Sequence, residues 1–240
     1  MRRWTTFILL LTSAAGCRSA SDPKQQSNSP WIIARAEVVR WQADEPFFAQ
    51  DFAIEASGLA ASDRFLWVTS EKYGGLLIID FQDHPYVKTL HVGVPKYAEL
   101  EGVALVDEGV LLCDEAHAAV YEVPIENEEL LFASPPAGAL PVESLTLEGV
   151  AVIGGKIGFE GIEVDEKDGT VYLLLERSGT EETGCVSRIW DLQRTNGALR
   201  SDGDPLEVQL EDCTWRLTGL AWWEGGLIAL RTQFPGMRYE

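Results

Sequence analysis

Histidine is scarce in this 240-residue chain, which holds only His84, His91 and His117. Cysteine is hardly commoner, at four residues, and no CxxC motif or Cys/His cluster occurs. A zinc site therefore has no ligand set of the usual spacing. Basic residues are few, 19 against 38 acidic ones, for a formal net charge of −19. Phosphate backbones are bound by Lys and Arg releasing counterions, so nucleic acid is excluded as a partner. A polyanionic substrate is disfavoured on the same ground unless metal ions intervene. The GxSxG nucleophile elbow is absent, no long stretch shows helical periodicity, and the apolar run Phe7 to Leu11 is far shorter than the ~20 residues that span a bilayer.

What is present begins with a targeting segment. Arg2 and Arg3 precede the apolar run, and the small residues Ala14, Ala15 and Gly16 lead to Cys17. Small side chains there let a signal peptidase grip an extended backbone. The stretch resembles a bacterial lipobox, with Ala at position 14 where Leu is usual. The resemblance implies cleavage after residue 16 and a diacylglyceryl group on Cys17; an ordinary secretory signal is the alternative. Residues 17–30 are polar and rich in Ser, Gln and Pro, the composition of a disordered tether. Arg18 rather than Asp after the cysteine implies the outer membrane in a two-membrane bacterium. The expected address is the cell envelope, with the lipid as the only membrane contact. Losing residues 1–16 removes two arginines and no acids, which leaves a mature charge near −21. Residues 31–240 suffice for one domain with its own core.

One pattern recurs through that domain. A glycine follows a small or acidic residue at Gly58, Gly102, Gly161 and Gly219, at spacings of 44, 59 and 58. After each comes an apolar run ending in polar residues: Phe65 to Glu71, Val110 to Glu115, Val171 to Arg177, and Leu227 to Arg231. Third runs follow in the first three units, and fourth runs at 87–94, 145–153 and 206–210 close them. Four strands on a period of about 40 to 60 residues describe a β-propeller blade. The glycine fits where innermost strands crowd around an axis and a side chain would meet the next blade. A β-sandwich, the other all-β candidate, has no need of it. Residues 35–41 alternate like a strand and are expected to pair with the last blade. The last unit stops 21 residues after Gly219, so the ring reads as small and irregular or as a C-terminally shortened version of a larger propeller.

Ser-Gly-Leu or Glu-Gly-Val/Ile, then an apolar strand ending in Ser-Glu, Asp-Glu or Glu-Arg, resembles the SdiA-regulated and phytase-like ("esterase-like activity of phytase") propeller families. Residues 158–165 with 171–177 are closest to them, and the likeness extends over 54–232. It implies a six-bladed type, of which this chain would be an incomplete version, and calcium-assisted phosphoester hydrolysis. Few basic residues are available for phosphate, which weighs against that activity.

Equivalent positions in the repeat give the candidate site. Ser57, Glu101, Glu160 and Thr218 start the innermost strands and are expected to ring the channel. Carboxylates with hydroxyls are hard oxygen ligands, suited to Ca²⁺ or Mg²⁺; the alternative is that the acids accept backbone N–H groups or pair with Arg. Where second strands end, Glu71, Asp114, Glu115, Glu176, Arg177 and Arg231 form an expected ligand mouth. Arg177 and Arg231 are either forks for an anion or, for Arg177, a partner of Glu115 or Glu160. His117, in a tight turn, is the best general-base candidate of the three histidines; the alternative is a solvated turn residue. Cys185 and Cys213 lie near loop-like stretches and can pair in an oxidising compartment, while Cys113 reads as a small buried hydrophobe. The tryptophans 67, 190, 222 and 223 read as packing between blades. The expected function is a tethered propeller that binds an ion or a small ligand or protein partner at its channel mouth. The alternative is a calcium-dependent esterase or phosphoesterase.

Overall fold

The computed structural model describes residues 5–9, 37–43, 56–71, 74–80, 86–150, 158–223, 225–233 and 238–239. Cys17 and the tether at 17–30 lie outside the described residues. Among the described residues the chain is almost entirely strand. The first sheet contains β1 (Thr5–Leu9), β2 (Glu37–Ala43), β3 (Ala56–Ala61), β4 (Phe65–Ser70), β5 (Gly75–Asp80) and β6 (Tyr86–His91). Its members β3 to β6 form an antiparallel meander. A second meander follows: β7 (Leu100–Val106), β8 (Gly109–Asp114), β9 (Ala119–Pro124) and β10 (Glu143–Glu148), with the helix α1 (Glu128–Ala133) before its last strand. The third comprises β11 (Phe159–Val164), β12 (Val171–Thr180), β13 (Gly184–Thr195) and β15 (Leu206–Gln209), the short β14 (Ala198–Arg200) reaching across to pair with β10. The fourth holds β16 (Trp215–Trp223), β17 (Gly226–Gln233) and β18 (Arg238–Tyr239).

Strands β3, β7, β11 and β16 are innermost, and these four touch in sequence. The repeating glycines are the contact points. A Cβ on Gly58 would lie 2.6 Å from the Cα of Gly102, and one on Gly102 would lie 3.2 Å from the Cα of Gly161. One on Gly161 would lie 3.3 Å from the Cα of Gly219. Among the described residues four blade-like units, glycine against glycine at their inner strands, make this an all-β propeller.

Packing explains why the strands read as unbroken apolar runs. A strand sends alternate side chains to opposite faces, and the second and third blades have a neighbour on both. Val110 and Leu112 of β8 pack with Phe65, Trp67, Leu76 and Ile78 of the first blade. Leu111 and Cys113 of the same strand pack with Phe159, Leu173 and Trp190 of the third. All four of these β8 residues are at most 1% exposed. Trp67 and Trp190 are fully enclosed in the two layers, as packing residues, whereas Trp223 is exposed on the fourth blade and does not pack between blades.

Helix α1 clamps the first two blades together. Asn127 caps it by accepting the Leu130 N–H at 2.7 Å. Its first turn then reaches the first blade, where Glu128 accepts from Trp67 Nε1 at 3.0 Å and Ser62 Oγ at 2.8 Å. The strand predicted over 35–41 is placed differently from expectation. Glu37–Ala43 pairs with β1 and, through Gln42 and Ala43, with β6 on the outer side of the first blade, not with the last blade. Its alternation satisfies any free sheet edge equally well, so the pattern names a strand without naming its neighbour.

Cys185 and Cys213 form a disulfide with Cα atoms 5.3 Å apart. It ties the start of β13 to the connection leading into β16 and sits in a small cluster with Leu210 and Trp215. The bond closes a loop of 28 residues. Its reduction is expected to cost about 2 to 4 kcal/mol, seen as an earlier urea midpoint in reducing buffer. A Cys113→Ser variant should respond identically, because Cys113 is free and buried.

Candidate functional site: an acidic channel mouth

Every inner strand breaks register with its neighbour at the same place. The irregularities fall between Ala56 and Leu59, Leu100 and Gly102, Phe159 and Gly161, and Leu217 and Gly219. The extra residue is thus Glu101, Glu160 or Thr218 in three blades, and the Ser57-Gly58 pair in the first. A bulge re-aims the side chain it displaces and bends the strand. The glycine beside it lets the next blade close in, so bulge and glycine act as one device repeated four times.

Glu101 and Glu160 are both only 8% exposed. Burial pushes the Glu101 carboxyl up to about 7, opposed by a hydrogen bond from Ser57 and reinforced by Glu71, Glu115 and Glu99. Burial likewise raises Glu160 to about 9, with Glu176, Glu101 and Glu115 adding repulsion and Arg216 opposing it.

A second tier lies above this ring. The Glu115 N–H donates to the Glu99 carbonyl at 2.8 Å, and the Glu176 N–H to the Gly158 carbonyl at 3.1 Å. Thr232 pairs with Arg216. Glu115, Glu176 and Thr232 are therefore equivalent, with Glu71 in the first blade. Gly158 has a further role, because a Cβ there would lie 1.9 Å from the Glu115 Cγ. Its missing side chain is the space through which Glu115 crosses into the third blade. Carboxylate oxygens of Glu115, Glu160 and Glu176 consequently come within 4.8 Å of one another.

One cation faces them. Arg216 Nη1 lies 2.6 Å from Glu176 Oε1. The hydroxyls of Thr218 and Thr232, on the same hairpin, are buried without a hydrogen-bond partner. Arg216 was not among the residues singled out from the sequence. Its signal was alternation, since it precedes Thr218 by two residues on the same strand.

Other expected mouth residues lie elsewhere. Asp114 is wholly buried and braces the turn after β8. It accepts the Glu99 N–H at 3.0 Å and the Tyr121 hydroxyl at 3.2 Å, and its Oδ2 lies 2.7 Å from His117 Nδ1. His117 is thus held by Asp114 in that turn. Arg231 stacks over the Trp215 ring at 4.0 Å and lies 3.7 Å from Glu211. Arg177 makes no ion pair with Glu115 or Glu160 among the described residues; the guanidinium at the cluster is that of Arg216, paired with Glu176.

No known protein family matches the chain, and no curated protein does. Among solved structures it is similar to a streptogramin B lyase structure, at 13% identity and a TM-score of 0.42. The similarity covers 77% of this chain and 53% of that one, so the chain spans about half the length of that protein. The four sheets and their glycine contacts carry the propeller fold without it.

Proposed function

We propose that this propeller is an exported protein whose mature chain begins at Cys17, without β1, and is anchored through a lipid on that residue to the cell envelope at the outer membrane, where it holds a divalent cation in its channel mouth and presents it to a small ligand or protein partner. The observation that supports this is the meeting of Glu115, Glu160 and Glu176 within 4.8 Å. Three oxygens so placed share a centre within about 2.8 Å of each, a small adjustment away from a calcium–oxygen distance. The unpartnered Thr218 and Thr232 hydroxyls add neutral oxygens. Like charges buried together repel, and a cation relieves that repulsion.

A second reading places the chain in the SdiA-regulated and phytase-like group, as a calcium-dependent esterase or phosphoesterase. Arg216 favours it, being a guanidinium at the carboxylate cluster where it can receive an ester or phosphate oxygen. In that reading the cation would polarise the ester oxygen, while Arg216 orients it.

Melting of the full chain with calcium, then with excess chelator, tests the cation site. A ligand at a hundredfold its Kd adds about 2.7 kcal/mol, so calcium should raise the melting temperature by about 5 to 10 °C. Glu160→Gln should abolish the rise. Identical curves with calcium and chelator would remove the cation site and leave the acids as structural acceptors. Ester and phosphoester turnover, lost on chelation, would separate the enzyme from the binding module.

A further inference from the structure

The inner strands also form a second opening, at their other ends. Leu59, Ala60, Leu105, Val164 and Trp222, from all four inner strands, enclose a cleft of about 640 Å³ with Glu163 on its wall. That volume lies within the range of small-molecule sites. Glu163 stands three residues beyond Glu160 on β11, about 10 Å of extended chain from the acidic mouth.

The cleft has a fixed aromatic wall. Trp222 stacks on Tyr172 with ring centroids 5.3 Å apart and planes 12° from parallel. Tyr172 is the cross-strand partner of Glu163, which puts their side chains on one face of the sheet. The Glu163 carboxylate bridges the two blades, accepting the Val164 N–H at 2.9 Å and the Trp222 N–H at 3.3 Å. Burial pushes its pKa up, and only these two peptide donors oppose the rise. A carboxylate has room for further donors, and a buried charge without a counter-ion is costly. The rim adds Asp165 and Glu166 against the single ammonium of Lys167.

From this geometry we infer that the cleft is a binding site for a protonated amine with an apolar or aromatic body, its ammonium on Glu163 and its body against Trp222. Cation–π attraction and a charge-assisted hydrogen bond act together on such a ligand. An anion meets repulsion from three carboxylates. A neutral apolar molecule leaves Glu163 buried without a counter-ion. The site is distinct from the cation site at the opposite mouth and does not depend on it.

Calorimetric titration of the full chain with phenethylamine and with 2-phenylethanol, in excess chelator, tests the inference. The amine should bind at least tenfold more tightly than the alcohol. Glu163→Gln should remove that preference, and Trp222→Leu should weaken both compounds. Equal binding of amine and alcohol to the unmodified chain would overturn the proposal, whether or not either variant folds. So would an amine preference that survives Glu163→Gln and vanishes in Glu160→Gln, since that result puts the amine at the other mouth.

Discussion

Gly102→Ala is expected to destabilise the chain by at least about 3 kcal/mol, while Gly219→Ala changes stability by no more than about 0.5 kcal/mol. Both glycines follow a bulged residue in an inner strand, and both read alike in the repeat. Their surroundings differ. A Cβ on Gly102 would meet the Cys113 sulfur at 2.7 Å and the backbone nitrogen of Ile162 at 2.9 Å. The thiol can shift slightly, but Cys113 is itself wholly buried, and the Ile162 nitrogen belongs to the next blade's inner strand. Relief therefore requires the second and third blades to separate along a layer that buries Leu111, Phe159, Leu173 and Trp190. Among the described residues, a Cβ on Gly219 would meet nothing closer than the Leu230 Cβ at 3.6 Å, an ordinary contact. Denaturant melts of the two variants check this, and about 6 to 12 °C should separate Gly102→Ala from the unmodified chain. Equal effects at the two positions would mean that the glycines serve strand flexibility rather than the approach of blades.

That contrast shows which features a sequence can carry. The glycine repeat was legible because a steric demand at the axis leaves the same mark in every blade. Strand runs such as Val110 to Cys113 were legible because two-sided burial fills every position with an apolar residue. The ring of Ser57, Glu101, Glu160 and Thr218 followed from the repeat, since equivalent positions in equivalent blades face the same way. The partners of those residues did not follow. Glu115 reaches Glu160 and Glu176 only by passing over Gly158, a contact between blades whose stagger no local pattern encodes. Asp114 and Glu115 are adjacent in sequence, yet one is spent on the turn of His117 and Tyr121 while the other joins the carboxylates of Glu160 and Glu176. One step along a strand reverses the face, so a polar pair at a strand end says little about which member does what. Arg216 was hidden for a related reason. It falls before the recurring glycine, where the other blades have Glu99 and Gly158, and nothing in the repeat marks it as a cation.

The channel acids also give the apo protein an unusual dependence on pH. Glu101 at about 7 and Glu160 at about 9 both lie above the ordinary 4.5 of a glutamate. The folded chain then keeps protons that the unfolded chain releases. Stability with respect to these groups is fully present below about pH 4.5. It falls as the pH rises through 7 for Glu101 and through 9 for Glu160. In chelator the chain should therefore be more stable at pH 5.5 than at pH 8.5, by several kcal/mol. Partly buried Glu163 contributes in the same direction. A bound cation inverts the effect, because it favours the ionised carboxylates, so calcium should stabilise more at pH 8.5 than at pH 5.5. Glu160→Gln separates the two contributions. Its neutral amide removes the cost of keeping a proton that the unfolded chain releases, so the variant should be more stable than the unmodified chain in chelator at pH 8.5. In calcium the order should reverse, since the variant has lost one of the three converging carboxylates. A variant that is weaker under both conditions would show that Glu160 serves the fold as a charged acceptor, and that the repulsion at the mouth is already relieved within the chain by Arg216.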